Sequence, residues 1–137
     1  MYCGRKRKKN TESHTLSVFL WIIERRGLVA FGQQFLNLPK GPSEEEGTVP
    51  KLLRKYPNLM GDLSDGTAYN AIARDDHYGP RFLSEFEDRL YFGTDMCFTT
   101  MKVELDKLLL HWRQTGKISE TTFRKIACEN AEKLLGL

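Results

Sequence analysis

A short apolar run, Leu90-Tyr-Phe92, ends at Gly93, and a carboxylate, Asp95, follows two residues later. A helical pattern precedes the run and others follow it. An apolar run of this length between helices predicts a strand of a parallel sheet, buried on both faces. Parallel strands need crossover connections, and those put helices on the faces of the sheet. This stretch therefore excludes a β-sandwich and a helical bundle. In such sheets the residues at the carboxyl ends of the strands form the site.

The rest of the chain repeats the unit. Leu16, Phe19, Leu20 and Ile23 recur at helical spacing, Gly27 follows, and Leu28 to Phe31 reads as a strand. A loop rich in Pro, Gly and Glu spans Pro39 to Gly47. Thr48 is expected to cap the next helix, with Pro50 in its first turn. That helix must stop near Tyr56, because Pro57 disfavours helical geometry before it. Asn58 to Leu63 is the second strand, and Ser64-Asp-Gly-Thr67 is a turn-rich exit. A helix over residues 75–88, with Phe82, Leu83 and Phe86 inward, leads to the third strand. Leu105, Leu108, Leu109 and Trp112 mark another helix. Ser119 caps the last one, whose apolar face is Phe123, Ile126, Ala127, Ala131 and Leu134, and Gly136 ends it. The strands start near Leu28, Asn58 and Arg89, spacings of 30 and 31 residues, about one β/α unit each. A three-stranded parallel sheet would leave both edges unpaired, which predicts self-association through them.

Composition separates a tail from a body. Residues 1–14 read as a basic, disordered tail and 15–137 as the folded part. Of 21 basic residues five lie in Arg5–Lys9, so 16 remain against 18 acidic ones, a balance of −2. A mildly acidic body argues against nucleic-acid binding, and the tail reads as a solvated terminus. Leu16 to Ile23 is too short to span a bilayer. It is followed directly by Glu24, Arg25 and Arg26, without a clear small-residue cleavage site, so it does not read as a secretion signal. Cys3, Cys97 and Cys128 form no C-x-x-C motif and no even-numbered framework; reduced thiols and a cytoplasmic location are the expectation.

Four pieces in order carry a resemblance: Lys55-Tyr-Pro-Asn-Leu-Met-Gly-Asp-Leu-Ser64, Tyr69-Asn-Ala-Ile-Ala-Arg-Asp75, Arg89-Leu-Tyr-Phe-Gly-Thr-Asp95, and Ile126-Ala-Cys-Glu-Asn-Ala-Glu-Lys-Leu-Leu-Gly-Leu137. Together they resemble the C-terminal part of the amidohydrolase-related family, metal-dependent hydrolases and decarboxylases on a (β/α)8 TIM barrel. The resemblance implies an α/β fold made of the last three β/α units of that barrel. The strands would be its sixth, seventh and eighth. Asp95 would be the strand-eight aspartate, which binds the metal or takes a proton from metal-bound water. Gly93 would let the backbone turn at the strand end. Asn70 and Arg74, in a loop, could hold a substrate carboxylate. Asp62, Ser64, Asp65, Gln33 and Gln34 would face the substrate mouth. The implied function is hydrolysis or decarboxylation of a small carbonyl or carboxylate substrate with a divalent metal, zinc first.

The sequence departs from the family pattern at the metal. The family opens with a strand-one His-x-His pair, and His14, His77 and His111 form none. A His of the family often follows strand six in a stretch like Gly-His-Ser-Gln-x-Phe. Here the match is Ala30-Phe-Gly-Gln-Gln-Phe35, with Phe31 at the His position. Phenylalanine cannot ligate a metal. Asp95 alone survives, against the three protein ligands normal at catalytic zinc. The expectation is a fragment that binds metal and substrate only within a complete barrel and is inactive as this chain alone. The alternative is a non-catalytic remnant acting as an interaction module.

Overall fold

A computed structural model describes residues 46–137; the tail, the helix expected at Leu16–Ile23 and the strand expected at Leu28–Phe31 lie outside them. Gly61–Asp62 (β1) runs parallel to Leu90–Tyr91 (β2), with Gly61 opposite Leu90 and Asp62 opposite Tyr91. A helix precedes β1: Thr48–Lys55 (α1). Two lie between the strands, Asp65–Ala73 (α2) and Tyr78–Glu85 (α3). After β2 come Leu105–Gln114 (α4) and a terminal helix built of Glu120–Arg124 (α5), a π-helical turn at Lys125–Glu129, and Asn130–Leu135 (α6). Parallel strands joined through helices bear out the α/β reading. The described residues contain one parallel strand pair, at the positions of the second and third expected strands.

Several expectations need correction. β1 is shorter than Asn58–Leu63 because Pro57 and Asn58 form a turn, with the Leu59 amide donating to the Tyr56 carbonyl. The ladder begins only where Gly61 N donates to Arg89 O, and it continues through Leu63 N to Tyr91 O. Gly47, and not Thr48, holds the extended position before α1 (φ −67°, ψ 174°). The third helix covers 78–85, inside the expected 75–88. Asp75 stays outside and accepts the amide N–H groups of His77 and Tyr78 at 2.9 Å each. At the other end a turn from Phe86 to Arg89 leads into β2.

The core joins all these elements. Phe82, Leu83 and Phe86 are buried as their spacing predicts, together with Leu53, Leu63, Leu90, Leu109 and Trp112. Arg89 ties α1 to β2: its Nη1 donates to Leu53 O (2.6 Å) and Tyr56 O (3.1 Å), near the C-terminus of α1. Those carbonyls would otherwise lack helical partners. No described helix is long and apolar enough to cross a membrane.

The last helix keeps its expected ends. Ser119 Oγ accepts the Thr122 amide N–H at 2.9 Å, and Gly136 takes the left-handed conformation (φ 71°). Its face differs. Leu134 is 52% exposed, and Asn130 is buried at 7%. The π turn inserts one extra residue per turn, which rotates everything after it about the helix axis. Asn130 follows the buried Ile126 by four residues, so helical spacing itself places it on the inward face.

Surface carboxylates give the fold an acid limit. Lys117 and then Trp112 hold the Asp76 carboxyl below its usual range, and Lys125 and Thr122 do the same for Glu87. Arg54 lowers Glu85 and Glu46, and backbone amides lower Asp75. Folded pKa values below the unfolded ones stabilise at pH above the unfolded carboxylate range, about 4, and that stabilisation is lost as pH falls through the folded values. Thermal melts should therefore give a flat Tm from neutral pH to about 5 and a falling one below about 4. The groups are largely exposed, so added salt should flatten the fall. A Tm constant down to pH 2 would contradict these pairings.

Candidate functional site

The carboxyl ends of the two strands meet around Gly93. A Cβ there would lie 2.9 Å from Asp62 Oδ1 and 2.9 Å from the Ser64 Cβ. Gly93 is thus needed for space. It is not among the described glycines with positive φ, so the expected conformational role does not apply. Asp62 is half-buried, and its Oδ1 accepts the Ser64 amide N–H at 2.8 Å, an Asx-type turn that leads the chain out of β1 into α2. Asp62, Ser64 and Gly93 are therefore in contact at the strand tips.

Asp95 stands two residues beyond, in the exposed segment between β2 and α4. Its φ is 48°, the only positive φ of a non-glycine residue among those described. Aspartate is among the few side chains that tolerate the left-handed region. Cys97 Sγ donates to the Asp95 carbonyl at 3.6 Å, and Cys97 is exposed, as are Met96 and Phe98. Non-glycine residues with positive φ concentrate at functional sites.

Asn70 and Arg74 are on a helix and not in a loop. Asn70 lies in α2, Arg74 is its C-terminal cap, and Arg74 N donates to Asn70 O at 3.1 Å. Ala68, Ala71, Ile72 and Ala73 supply the helix propensity that outweighs Gly66, so the turn signals at 64–67 mark a helix start. The two residues are four apart, hence neighbours on one face of α2. His77 sits just before α3 and His111 in the last turn of α4, both exposed. Gln33, Gln34 and Phe31 lie outside the described residues. A cavity of about 20 Å³ between α1, α2 and α3 is lined by Val49, Pro50, Ile72, Tyr78 and Phe82. It holds about one water and contains no strand-tip residue.

The donor set does not fit a catalytic metal. Among the described residues no three His, Cys, Asp or Glu side chains converge to hold an ion. A closed zinc site needs four ligands and a catalytic one three from the protein. Sequence reasoning did not find the network behind the strand tips. Glu87 accepts from Thr122 Oγ1 (2.5 Å) and Lys125 Nζ (2.6 Å), and Asn130 Nδ2 donates to Glu87 O and Leu90 O. An asparagine at an apolar helix position was the one available signal.

Comparison with known proteins gives one finding. Residues 39–137 match the family model described as Amidohydrolase. No curated protein and no solved structure matches the chain.

Proposed function

This chain belongs to the amidohydrolase family, and on that premise we propose that it forms the last three β/α units of a (β/α)8 barrel. Within that barrel it hydrolyses, or decarboxylates, a small carbonyl or carboxylate substrate. It is inactive by itself, and the metal donors, zinc being the first candidate, come mainly from outside residues 46–137. The observation that carries this reading is the strand-tip cluster. Asp62, Ser64 and Gly93 meet at the carboxyl ends of two parallel strands, with Asp95 just beyond in a left-handed backbone. Asp95 is the catalytic carboxylate. Asn70 and Arg74, one helical turn apart after β1, take the substrate's carboxylate. The free thiols of Cys97 and Cys128 fit a cytoplasmic setting.

The test supplies the full chain with the N-terminal half of a related barrel and measures metal content and hydrolysis. Asp95→Asn should lower the rate about 100-fold or more, the usual contribution of a positioned acid or base. Its Tm should hold, since asparagine also accepts the left-handed region. Equal rates for the two proteins would remove Asp95 from the chemistry. Phe31→His should raise metal uptake in the same complex.

A second reading, a non-catalytic interaction module, is favoured by Phe31 at the position where the family pattern has histidine. It predicts that neither the parent nor Phe31→His takes up metal or turns over substrate in the completed barrel.

A further inference from the structure

The two edges of β2 are used differently. Toward β1, the carbonyls of Arg89 and Tyr91 accept the Gly61 and Leu63 amides. Leu90 and Phe92 direct their backbone groups the other way. There, Leu90 O accepts from Asn130 Nδ2 at 2.8 Å, and Phe92 N donates to Ile126 O at 3.0 Å. A parallel strand on that edge would supply the same pair through a single residue: its N–H to the Leu90 carbonyl and its C=O to the Phe92 amide. A helix supplies both here, one from a carboxamide and one from its own main chain.

The π turn makes the second bond available. In an α-helix the Asn130 amide would bond the Ile126 carbonyl, four residues back. Here Asn130 N donates to Lys125 O, five back, and that carbonyl of Ile126 turns to Phe92 instead. Asn130 is buried and also donates to Glu87 O at 2.6 Å. The Glu87 carboxylate in turn holds Thr122 and Lys125 on the same helix. One side of the helix is thus bonded to both the approach to β2 and its edge.

We infer that the terminal helix is a strand substitute: it closes the outer edge of β2 in cis and must move away before any strand can pair there. Strand addition, including pairing with a second copy, is confined to the β1 side while the helix is seated. The inference does not rest on the hydrolase reading, because every bond in it lies within this chain; closing a complete barrel would pair its first strand with this same edge, so the helix must leave it for the barrel to close.

NMR on the full chain tests it. A through-bond coupling between Phe92 N and the Ile126 carbonyl carbon is expected. The Phe92 amide should exchange with solvent within about ten-fold of the Leu63 amide, although it lies on the edge away from β1. Asn130→Asp places an acceptor against the carbonyls of Glu87 and Leu90. It should speed Phe92 exchange about ten-fold or more relative to Leu63, and strengthen self-association in sedimentation by a similar factor. Absence of the coupling in the unmodified chain overturns the proposal, and that measurement needs no variant to fold. Equal acceleration at Phe92 and Leu63, or faster Phe92 exchange with unchanged association, also overturns it. None of these results touches the Asp95→Asn assay, which judges the hydrolase reading separately.

Discussion

Trp112→Ala should lower the unfolding free energy by about 3–5 kcal/mol, the range for truncating a buried aromatic to alanine. Trp112 is 1% exposed and is among the largest fully buried side chains described. It comes from α4 and reaches Gly79 of α3, so its loss opens a void between two elements that the chain connects only through β2. Its Nε1 donates to Asp76 Oδ1 at 3.1 Å, and Asp76 also pairs with Lys117. Trp112→Phe keeps much of the ring and loses that donor, which should cost less; a single hydrogen bond contributes about 1 kcal/mol net. Domains are stable by only about 5–15 kcal/mol, so the alanine variant should lose a large share of the whole. Urea unfolding of the parent and both variants checks this order. Equal midpoints for Trp112→Ala and the parent would mean that α4 does not pack on α3.

Gly79→Ala is expected to destabilise by about 3 kcal/mol, the upper part of the usual range for overpacking. Two effects oppose each other here. Gly79 lies in α3, where alanine is intrinsically favoured over glycine by about 1 kcal/mol. Against that, an added Cβ would sit 2.3 Å from the Ile72 carbonyl oxygen and 2.5 Å from Trp112 Cη2. The closer atom is backbone and belongs to α2, so it cannot rotate away. Steric conflict wins, and helix propensity decides only what fraction is offset. The double variant Gly79→Ala/Trp112→Ala separates the two contacts. Removing the indole relieves one clash and leaves the carbonyl, so rescue should be partial at most. Full rescue would assign the cost to the indole alone, and a stabilised Gly79→Ala would mean that α2 and α3 do not approach as described. Because the sites touch, their costs should not add.

Phe82, Leu83, Phe86, Leu109 and Trp112 were readable as buried from spacing alone, because a helix repeats every 3.6 residues whatever it packs against. The Ser119 cap and the Gly136 stop were readable for the same local reason: a cap satisfies its own helix end, and a left-handed residue favours glycine wherever it occurs. Strand order and parallel pairing followed from the alternation of apolar runs with helical segments. The matches to the amidohydrolase pattern, from Lys55 to Leu137, were equally a property of the linear chain.

Other features were not local. The turn signals at Ser64–Thr67 suit a loop and a helix start equally, and α2 exists because Ala68 and Ile72 have a core to enter. Gly93 looked like a turn residue; only the approach of Asp62 and Ser64 from another strand shows that it makes room. The π turn releases the Ile126 carbonyl from its helix, and only the approach of β2 supplies that carbonyl with the Phe92 amide. Sequence by itself determined that α1, α3, α4 and the last helix exist, where the last one is capped and stopped, and which faces of α3 and α4 are apolar, since backbone and side-chain preferences act over one or two turns. Tertiary structure alone decided which strand tips touch, where glycine is needed for space, and how the edge of β2 is satisfied. Those outcomes depend on residues far apart in the chain, such as Asp62 and Gly93 or Phe92 and Ile126, coming into contact.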